Sequence, residues 1–535
     1  MTMQPPVSLA DLISPARVDD PDRPALTFDS VTWTFRHLDA RATKAAAMLV
    51  RSGVKDGARV GFLAKNHPDY FTLVFACAKV GAVLVPLNWR LAPPELAYVL
   101  NDAEATILVV DPAMFDQIAP VLGDLESVTQ VVALGGEPYV HEGTQYPAFQ
   151  QWLLDAAADE VDVSFPVRNP ADVCLQFYTS GTTGYPKGVM LTHDNLLHNM
   201  PEISASWRVD AQSVTLVSAP TFHIGGTTWA LIAIFTGGRI VLLREVVPAQ
   251  ILRTIAAERI TAAMFPSGIL QLVVEDPDKA AHDVSSVQTI IYGASPITET
   301  TLGMALDLFN ARFLHNYGLT EATGTVVQLE PDDHDPTARP DLLRSCGKPR
   351  AGVELRIVEP DSATPVADGI VGEVVVKTRQ TMKGYWKRPA DTQRSLSADG
   401  WLRTGDLGYL EEGYLFLCDR LNDMIISGSE NIYPAEVENV VMKHPLVQDV
   451  AVIGVPDEKW GETVKAVVVP AARRPEPGEL ISFTRARLAH YKCPRQVEFV
   501  EELPRNAAGK VLKTKLRQSH TAIPKTFDAT DKNKT

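Results

Sequence analysis

Short β-branched runs alternate with amphipathic stretches along most of this chain, and that alternation restricts it to layered α/β folds. Residues 59–63 (RVGFL), 107–110, 131–134, 240–243 and 289–292 are apolar runs of strand length. Residues 38–50 and 94–100 carry apolar positions at helical spacing. A chain that keeps switching between the two periods builds sheets with helices on their faces. No fixed period recurs, which excludes a solenoid or propeller. At 535 residues a single hydrophobic core does not suffice, and two or more domains are expected.

The character changes over residues 374–417, which are strand-rich and punctuated by Gly384, Gly400, Gly405, Gly408 and Gly413. After them, Asp419-Arg420-Leu421-Asn422-Asp423 forms a polar knot between two apolar strands. The domain boundary is expected there. Residues 1–421 would form a large domain of layered β-sheets with flanking helices, and residues 422–535 a small α+β domain.

A formal net charge of −15 argues against a nucleic-acid partner, which calls for a basic face. An anionic substrate must then be drawn by local cations. Cys77, Cys174, Cys346, Cys418 and Cys493 are scattered and form no C-x-x-C pair. Neither a disulfide framework nor a zinc site is expected, and a reducing, cytoplasmic setting is. The N-terminus lacks a basic stretch followed by an apolar core, so no signal peptide is expected. The apolar stretches 72–87 and 228–243 are broken by Lys79 and by Gly237-Gly238-Arg239. Both fall short of the roughly 20 residues of a membrane-spanning helix, while contact with a membrane surface stays open.

The sharpest chemical signal is a loop. Residues 175–178 end an apolar strand and lead into Thr179-Ser180-Gly181-Thr182-Thr183-Gly184-Tyr185-Pro186-Lys187-Gly188. A polyphosphate needs many short donors crowded around it. Ser and Thr hydroxyls supply some, and Gly lets backbone N–H groups approach closely. Lys187 adds a positive charge. This is not the G-x-x-x-x-G-K-S/T loop: counted from Gly181, Pro186 replaces the second Gly and Gly188 the Ser/Thr. A Ser/Thr/Gly linker shares the composition, but this order of residues after an apolar strand is far more specific.

Through this loop and the motifs that follow it, the chain resembles the adenylate-forming superfamily of acyl-CoA synthetases, peptide-synthetase adenylation domains and luciferases. The resemblance runs over about residues 28–516, with the motifs in that family's order. It implies a small C-terminal domain that is mobile. It also implies activation of a carboxylic acid by ATP and Mg2+ as an acyl-adenylate, then transfer to coenzyme A. By resemblance, Thr179, Ser180, Gly181, Thr182, Thr183, Gly184 and Lys187 contact the phosphates. Asn316-Tyr317-Gly318-Leu319-Thr320-Glu321 resembles the second core motif. It implies Tyr317 on the adenine face, Thr320 on a phosphate and Glu321 on Mg2+, with Asn316 and Gly318 in the same wall. An aromatic plane suits a purine, and a carboxylate suits a hard cation. Tyr292-Gly293-Ala294-Ser295-Pro296 resembles a further stretch of nucleotide and acyl wall, which implicates Gly293, Ala294 and Ser295. Gly400-Trp401-Leu402-Arg403-Thr404-Gly405-Asp406 resembles the ribose clamp, where a carboxylate accepts from two vicinal hydroxyls. Arg420 is implied at the nucleotide. Pro504-Arg505-Asn506-Ala507-Ala508-Gly509-Lys510 resembles the C-terminal motif, with Lys510 as the adenylation lysine. An ammonium there would stabilise the charge that builds on the α-phosphoryl group and departing pyrophosphate.

Pro220-Thr221-Phe222-His223-Ile224-Gly225-Gly226 corresponds to the acyl-pocket segment, with His223 lining or gating it. Amino-acid-activating relatives usually carry aspartate directly after this phenylalanine, so His223 favours an acid without an α-amino group. Gly225 and Gly226 are expected to leave space, and Phe222, Ile224 and Trp229 are apolar. Medium- or long-chain fatty acids therefore come first, ahead of aryl or cinnamic-type acids. CoA is the expected acceptor and a carrier protein the alternative; an inactive nucleotide-binding scaffold is disfavoured by the intact motifs. Rotation about Asn422 would bring Gly428, Ser429 and Glu430 to the pantetheine tunnel. Two positions depart from the family: Asn422 where Lys or Asp is usual, and Ser429 where a second Gly is. A homodimer is left open.

Overall fold

The computed structural model describes residues 5–518 except 16, 159–164, 166–167, 180–185, 295–296, 298, 361, 421–422, 428–429, 458–460, 472, 489 and 506–510. The strands expected from periodicity are found at Arg59–Leu63, Ala105–Val110, Gln130–Ala133, Arg239–Leu242 and Thr289–Gly293. The expected helices are Phe35–Arg51 and Pro93–Ala103. The first of these starts where the Thr34 side chain accepts from the His37 N–H. The apolar stretch 72–87 splits at Gly81 into the helix Pro68–Val80 and the strand Val83–Pro86. Gly81 caps the helix in the left-handed region at φ 78°, which ends it in one residue. The stretch 228–243 likewise divides into the helix Ile224–Phe235 and the strand Arg239–Leu242. Among the described residues no helix is long and apolar enough to cross a membrane. All five cysteines are free thiols.

Compactness divides the chain into two units. One comprises Met1–Arg356, Val375–Thr404 and Glu411–Phe416; the other comprises Ile357–Val374, Gly405–Leu410 and Leu417–Thr535. The large unit contains two extended sheets. Among the described residues, one has nine strands, and its centre runs Arg312–Leu319, Thr289–Gly293, Ala262–Pro266, Val214–Val217, Arg239–Leu242 and Pro24–Phe28, all parallel. The other has seven, in the order Gly384–Tyr385, Lys187–Thr192, Val173–Thr179, Val83–Pro86, Arg59–Leu63, Ala105–Val110 and Gln130–Ala133. The parallel strands Arg59–Leu63, Val83–Pro86 and Thr289–Gly293 are buried at every residue, so both of their faces are covered, which explains their near-continuous apolar runs. Leu216, Phe265, Ile290 and Phe313 pack in the first core, and Leu63, Val85, Leu108 and Val110 in the second.

The smaller unit is built on the long hairpin Val447–Asp457 and Gly461–Pro470. The strands Ile425–Ser427 and Gln496–Phe499 pair with Gly461–Pro470 on its edges. Ile425, Val437, Val452, Val464, Val468 and Leu480 join this sheet to the helices Pro434–Val441 and Pro477–Arg485 in one core.

Parallel strands leave their carboxyl ends along one edge, where open α/β sheets bind ligands. Val214–Val217 leads there to His223, Thr289–Gly293 to Ala294, and Arg312–Leu319 to the Thr320–Ala322 turn. Topology alone thus collects three motifs that lie far apart in sequence.

Candidate active site

The strand Val173–Thr179 ends on Thr179, and its antiparallel partner begins on Lys187, directly opposite. The ends of the phosphate loop are therefore clamped together. Thr179 Oγ1 donates to Glu321 Oε1 at 3.2 Å, which links the loop to the second core motif. Tyr385 OH donates to the same oxygen at 3.0 Å. Burial and the charge of Glu321 push the Tyr385 phenol up, so it stays protonated and donates. Lys187 Nζ lies 3.1 Å from Asp391 Oδ1 and 5.2 Å from the centre of the Tyr385 ring. Asp391 is also paired with Arg394. Burial would raise the Asp391 carboxyl, but its bonds to Lys187 and Arg394 outweigh that and hold it below the usual range.

A strap of residues 379–386 carries Tyr385 into place. Arg379 makes two bonds to Asp194, both 2.7 Å. Asn195 Nδ2 donates to the carbonyls of Arg379 and Thr381 at 3.0 and 2.9 Å. Thr323 Oγ1 donates to the Gln380 carbonyl at 2.5 Å, and the Met382 N–H to the Glu321 carbonyl at 2.8 Å. Farther on, the Trp386 N–H donates to the Gly188 carbonyl at 2.7 Å, and its ring lies under the Arg59 guanidinium. Thr323 holds a positive φ of 55°, a strained setting for a β-branched residue. The turn is thus over-determined by its bonds rather than by local preference.

Gly293 faces Asn316 across the parallel ladder, and Ala294 follows at φ 66°. Asn316 Oδ1 is buried and has no partner among the described residues. Tyr317 is largely buried, and the register slips between it and Gly318. A Cβ on Gly318 would sit 1.8 Å from the Gly324 carbonyl oxygen, so the hairpin closes only on glycine. Thr320 and Glu321 lie in the 3-10 turn Thr320–Ala322.

His223 stands at the start of the helix Ile224–Phe235, its Nε2 buried and without a partner among the described residues. Burial, with the nearby Arg90 charge, lowers its pKa to about 4, so the ring is neutral near pH 7. Two expectations for this segment are corrected. Gly226 does not open space: a Cβ there would lie 2.3 Å from the Pro220 carbonyl, so its smallness lets helix and loop touch. Trp229 does not line a pocket. It is 1% exposed, donates to the Leu216 carbonyl at 2.8 Å and packs on Trp207. Gly225 remains the position with room, its nearest neighbour Met264 Cε at 3.6 Å from a built Cβ.

In the smaller unit Asp406 is buried on the strand Leu402–Glu411. Arg420 ends the strand Tyr414–Arg420, and Glu430 opens Glu430–Ile432. Ser180, Gly181, Thr182, Thr183, Gly184, Ser295, Asn422, Gly428, Ser429 and Lys510 lie outside the described residues. The structure thus joins Thr179 and Glu321 by a direct bond and sets Gly293 beside Asn316. Tyr385 and Asp391 had not been expected at all. A glycine–tyrosine turn in the strand-rich segment is their only trace in the sequence.

Glu321 fits a divalent cation. Its Oε1 is oriented by two hydroxyl donors, and among the described residues no cationic side chain is paired with it. Among the described residues no group of three or more His, Cys, Asp and Glu could hold a metal. That suits Mg2+, which is commonly bound through one or two carboxylates plus substrate phosphates and water.

Residues 16–386 match the family described as AMP-binding enzyme, and residues 436–510 its C-terminal domain. The chain is 36% identical over 506 residues to the fatty acid–acyl-carrier-protein ligase ScoC of Streptomyces coeruleorubidus, covering 93% of each chain. It is 38% identical over 501 residues to a feruloyl-CoA synthase of Amycolatopsis sp, covering 93% of this chain and 96% of that one. The structure of ATP-bound MatB from Rhodopseudomonas palustris aligns with a TM-score of 0.84 at 30% identity, over 96% of this chain and 98% of that one. The chain therefore belongs to the AMP-binding enzyme family, as an adenylate-forming, AMP-forming acid–thiol ligase.

Proposed function

We propose that the chain activates a simple carboxylic acid, with medium- or long-chain fatty acids foremost, and transfers it to coenzyme A. The observation that carries this reading is the bond between Thr179, at the base of the phosphate loop, and Glu321, with Lys187 at the loop's other end. The acid's carboxylate oxygen attacks the α-phosphorus of ATP, and the bond to the bridging oxygen breaks as pyrophosphate leaves. The thiol sulfur of CoA then attacks the acyl carbonyl, loses its proton, and AMP departs. Glu321 would hold Mg2+, which supplies neutralisation of phosphate charge. Lys187 binds phosphate, and the unpaired Asn316 Oδ1 suits a purine amino group. Tyr317, Gly318, Gly293 and Ala294 line the base, and Thr320 the phosphate. By motif resemblance, Asp406 takes the ribose hydroxyls, Arg420 reaches the nucleotide and Lys510 serves the adenylation transition state. Gly428, Ser429 and Glu430 border the pantetheine path.

His223, neutral and with Nε2 unpartnered, suits an uncharged acyl group better than an ammonium. The relatives divide over both acid and acceptor. One is named for a fatty acid and a carrier protein, the other for ferulate and CoA, so an aryl acid and a carrier-protein acceptor are the competing readings. ATP–pyrophosphate exchange over straight-chain and cinnamic-type acids decides the first point. Product formation with CoA against a phosphopantetheinylated carrier decides the second. Preference for ferulate over every fatty acid, or for carrier over CoA, refutes the corresponding half of the proposal.

A further inference from the structure

Adenylation uses the charges of Lys187 and Glu321, yet Tyr385, which touches both, and Asp391, which holds the lysine, have no part in that chemistry. The Lys187 ammonium rests on Asp391 Oδ1 at 3.1 Å and beside the Tyr385 ring at 5.2 Å. The hydroxyl of that same tyrosine donates to Glu321 Oε1 at 3.0 Å. One side chain thus meets the cation with its ring and the anion with its hydroxyl. Among the described residues no ion pair joins Lys187 to Glu321. A flexible lysine near a carboxylate that has no cationic partner among the described residues, both only partly exposed, would be expected to close on it. Two features oppose that closure. Asp391 supplies a rival counter-charge, and Tyr385 fills the intervening space while fixing the carboxylate.

We propose that Tyr385 and Asp391 are positioning residues that prevent the phosphate-loop ammonium from neutralising the carboxylate meant for the metal. This rests on the assignment of Glu321 to Mg2+. The arrangement also lets Lys187 leave. Asp391 is shared with Arg394, one turn along the helix Pro389–Ser395, so it keeps a partner when the ammonium moves to phosphate. Tyr385 cannot drift, because its own N–H donates to Thr392 Oγ1 at 2.9 Å and its neighbour Trp386 is bonded to Gly188. Asp391 is therefore a holding site for the lysine, and Tyr385 a spacer with a polar end.

The test is calorimetric titration of ATP into the full chain at a series of Mg2+ concentrations, so that binding is read without turnover. In D391N the freed lysine competes with the cation, and the Mg2+ needed for half-maximal binding rises about tenfold, while binding at saturating Mg2+ is kept. Y385F, which keeps the ring and loses the hydroxyl, gives a smaller rise of about threefold and serves if D391N does not fold. In a K187Q background, whatever that change does to ATP affinity, adding D391N no longer moves the Mg2+ midpoint. An unchanged midpoint in both D391N and Y385F overturns the proposal, as does a D391N shift that persists without Lys187. Wild-type binding that is indifferent to Mg2+ overturns the assignment of Glu321 itself, which separates that failure from this one.

Discussion

Asn195→Asp tests whether the strap of residues 379–386 positions Glu321. Asn195 is 7% exposed. Its Oδ1 accepts from the Thr192 N–H at 3.0 Å, and its Nδ2 donates to the Arg379 and Thr381 carbonyls. Aspartate keeps the first bond, so the helix His193–Leu197 stays capped, and removes only the two that grip the strap. Each lost bond is worth about 1 kcal/mol, and a buried carbonyl left facing another oxygen costs a further ~1 kcal/mol or so. The strap should therefore open more easily by about 2–4 kcal/mol, a factor of roughly 30 to 700 in its open population. Hydrogen–deuterium exchange of peptides spanning residues 379–386 reads that population directly. It is best measured near pH 8, where the new carboxyl is ionised and cannot donate in place of the lost amide. Glu321 accepts from Met382 and Tyr385 on this strap, so ATP–pyrophosphate exchange should fall with it, by at least about tenfold. Exchange within about threefold of wild type, in a protein of unchanged thermal midpoint, would refute the reasoning.

His193 is buried and neutral, its Nδ1 accepting from the Leu9 N–H at 3.2 Å, with its pKa lowered to about 4, mainly by burial. The unfolded chain takes up that proton near pH 6.5, so the stability is intact above 6.5 and lost as pH falls towards 4. It amounts to about 2 kcal/mol by pH 5. The thermal midpoint of wild type should therefore drop more steeply over that window than that of His193→Gln, and parallel curves would contradict it. Gly318→Ala forces a Cβ onto the Gly324 carbonyl and should cost more than about 2 kcal/mol while abolishing ATP binding. A stable, nucleotide-binding variant would show that the hairpin can yield. Lys510→Ala should lose most of the adenylation rate yet leave preformed acyl-adenylate able to react with CoA; equal loss of both half-reactions would remove its assigned role.

What the sequence makes legible is local. The strands at 59–63 and 289–292 are set by alternation and composition within a few residues, and the structure has them at Arg59–Leu63 and Thr289–Gly293. The residues proposed for the chemistry stand out for a similar reason: Thr179, Lys187 and Glu321 sit in short motifs of adjacent residues, and the structure sets Thr179 opposite Lys187 and in a bond with Glu321. The helix Ile224–Phe235 shows where this ends. It is apolar nearly all round, so both faces are buried and no periodicity marks which one borders the acyl group. Trp229 accordingly read as pocket and is core. Gly226 read as space and is a close contact, because a missing side chain looks the same in sequence whether a ligand or a backbone fills the gap.

The deeper loss concerns how opposite charges are kept apart. Tyr385 is 64 residues from the carboxylate it orients, and Asn195 is 184 residues from the Arg379 carbonyl it holds. Neither distance leaves a local pattern. A motif records the groups that must meet the substrate, because their chemistry fixes the residue type. The residues proposed to keep those groups apart are constrained only by volume, one hydroxyl or one charge. Many sequences could meet such a constraint, so it becomes visible only when the sheet has brought Lys187, Tyr385 and Glu321 together. With Glu321 as the proposed Mg2+ ligand, what tunes its hold on the cation lies in the turn Gly384–Tyr385 and the helix Pro389–Ser395, as much as in the motifs that name the reaction.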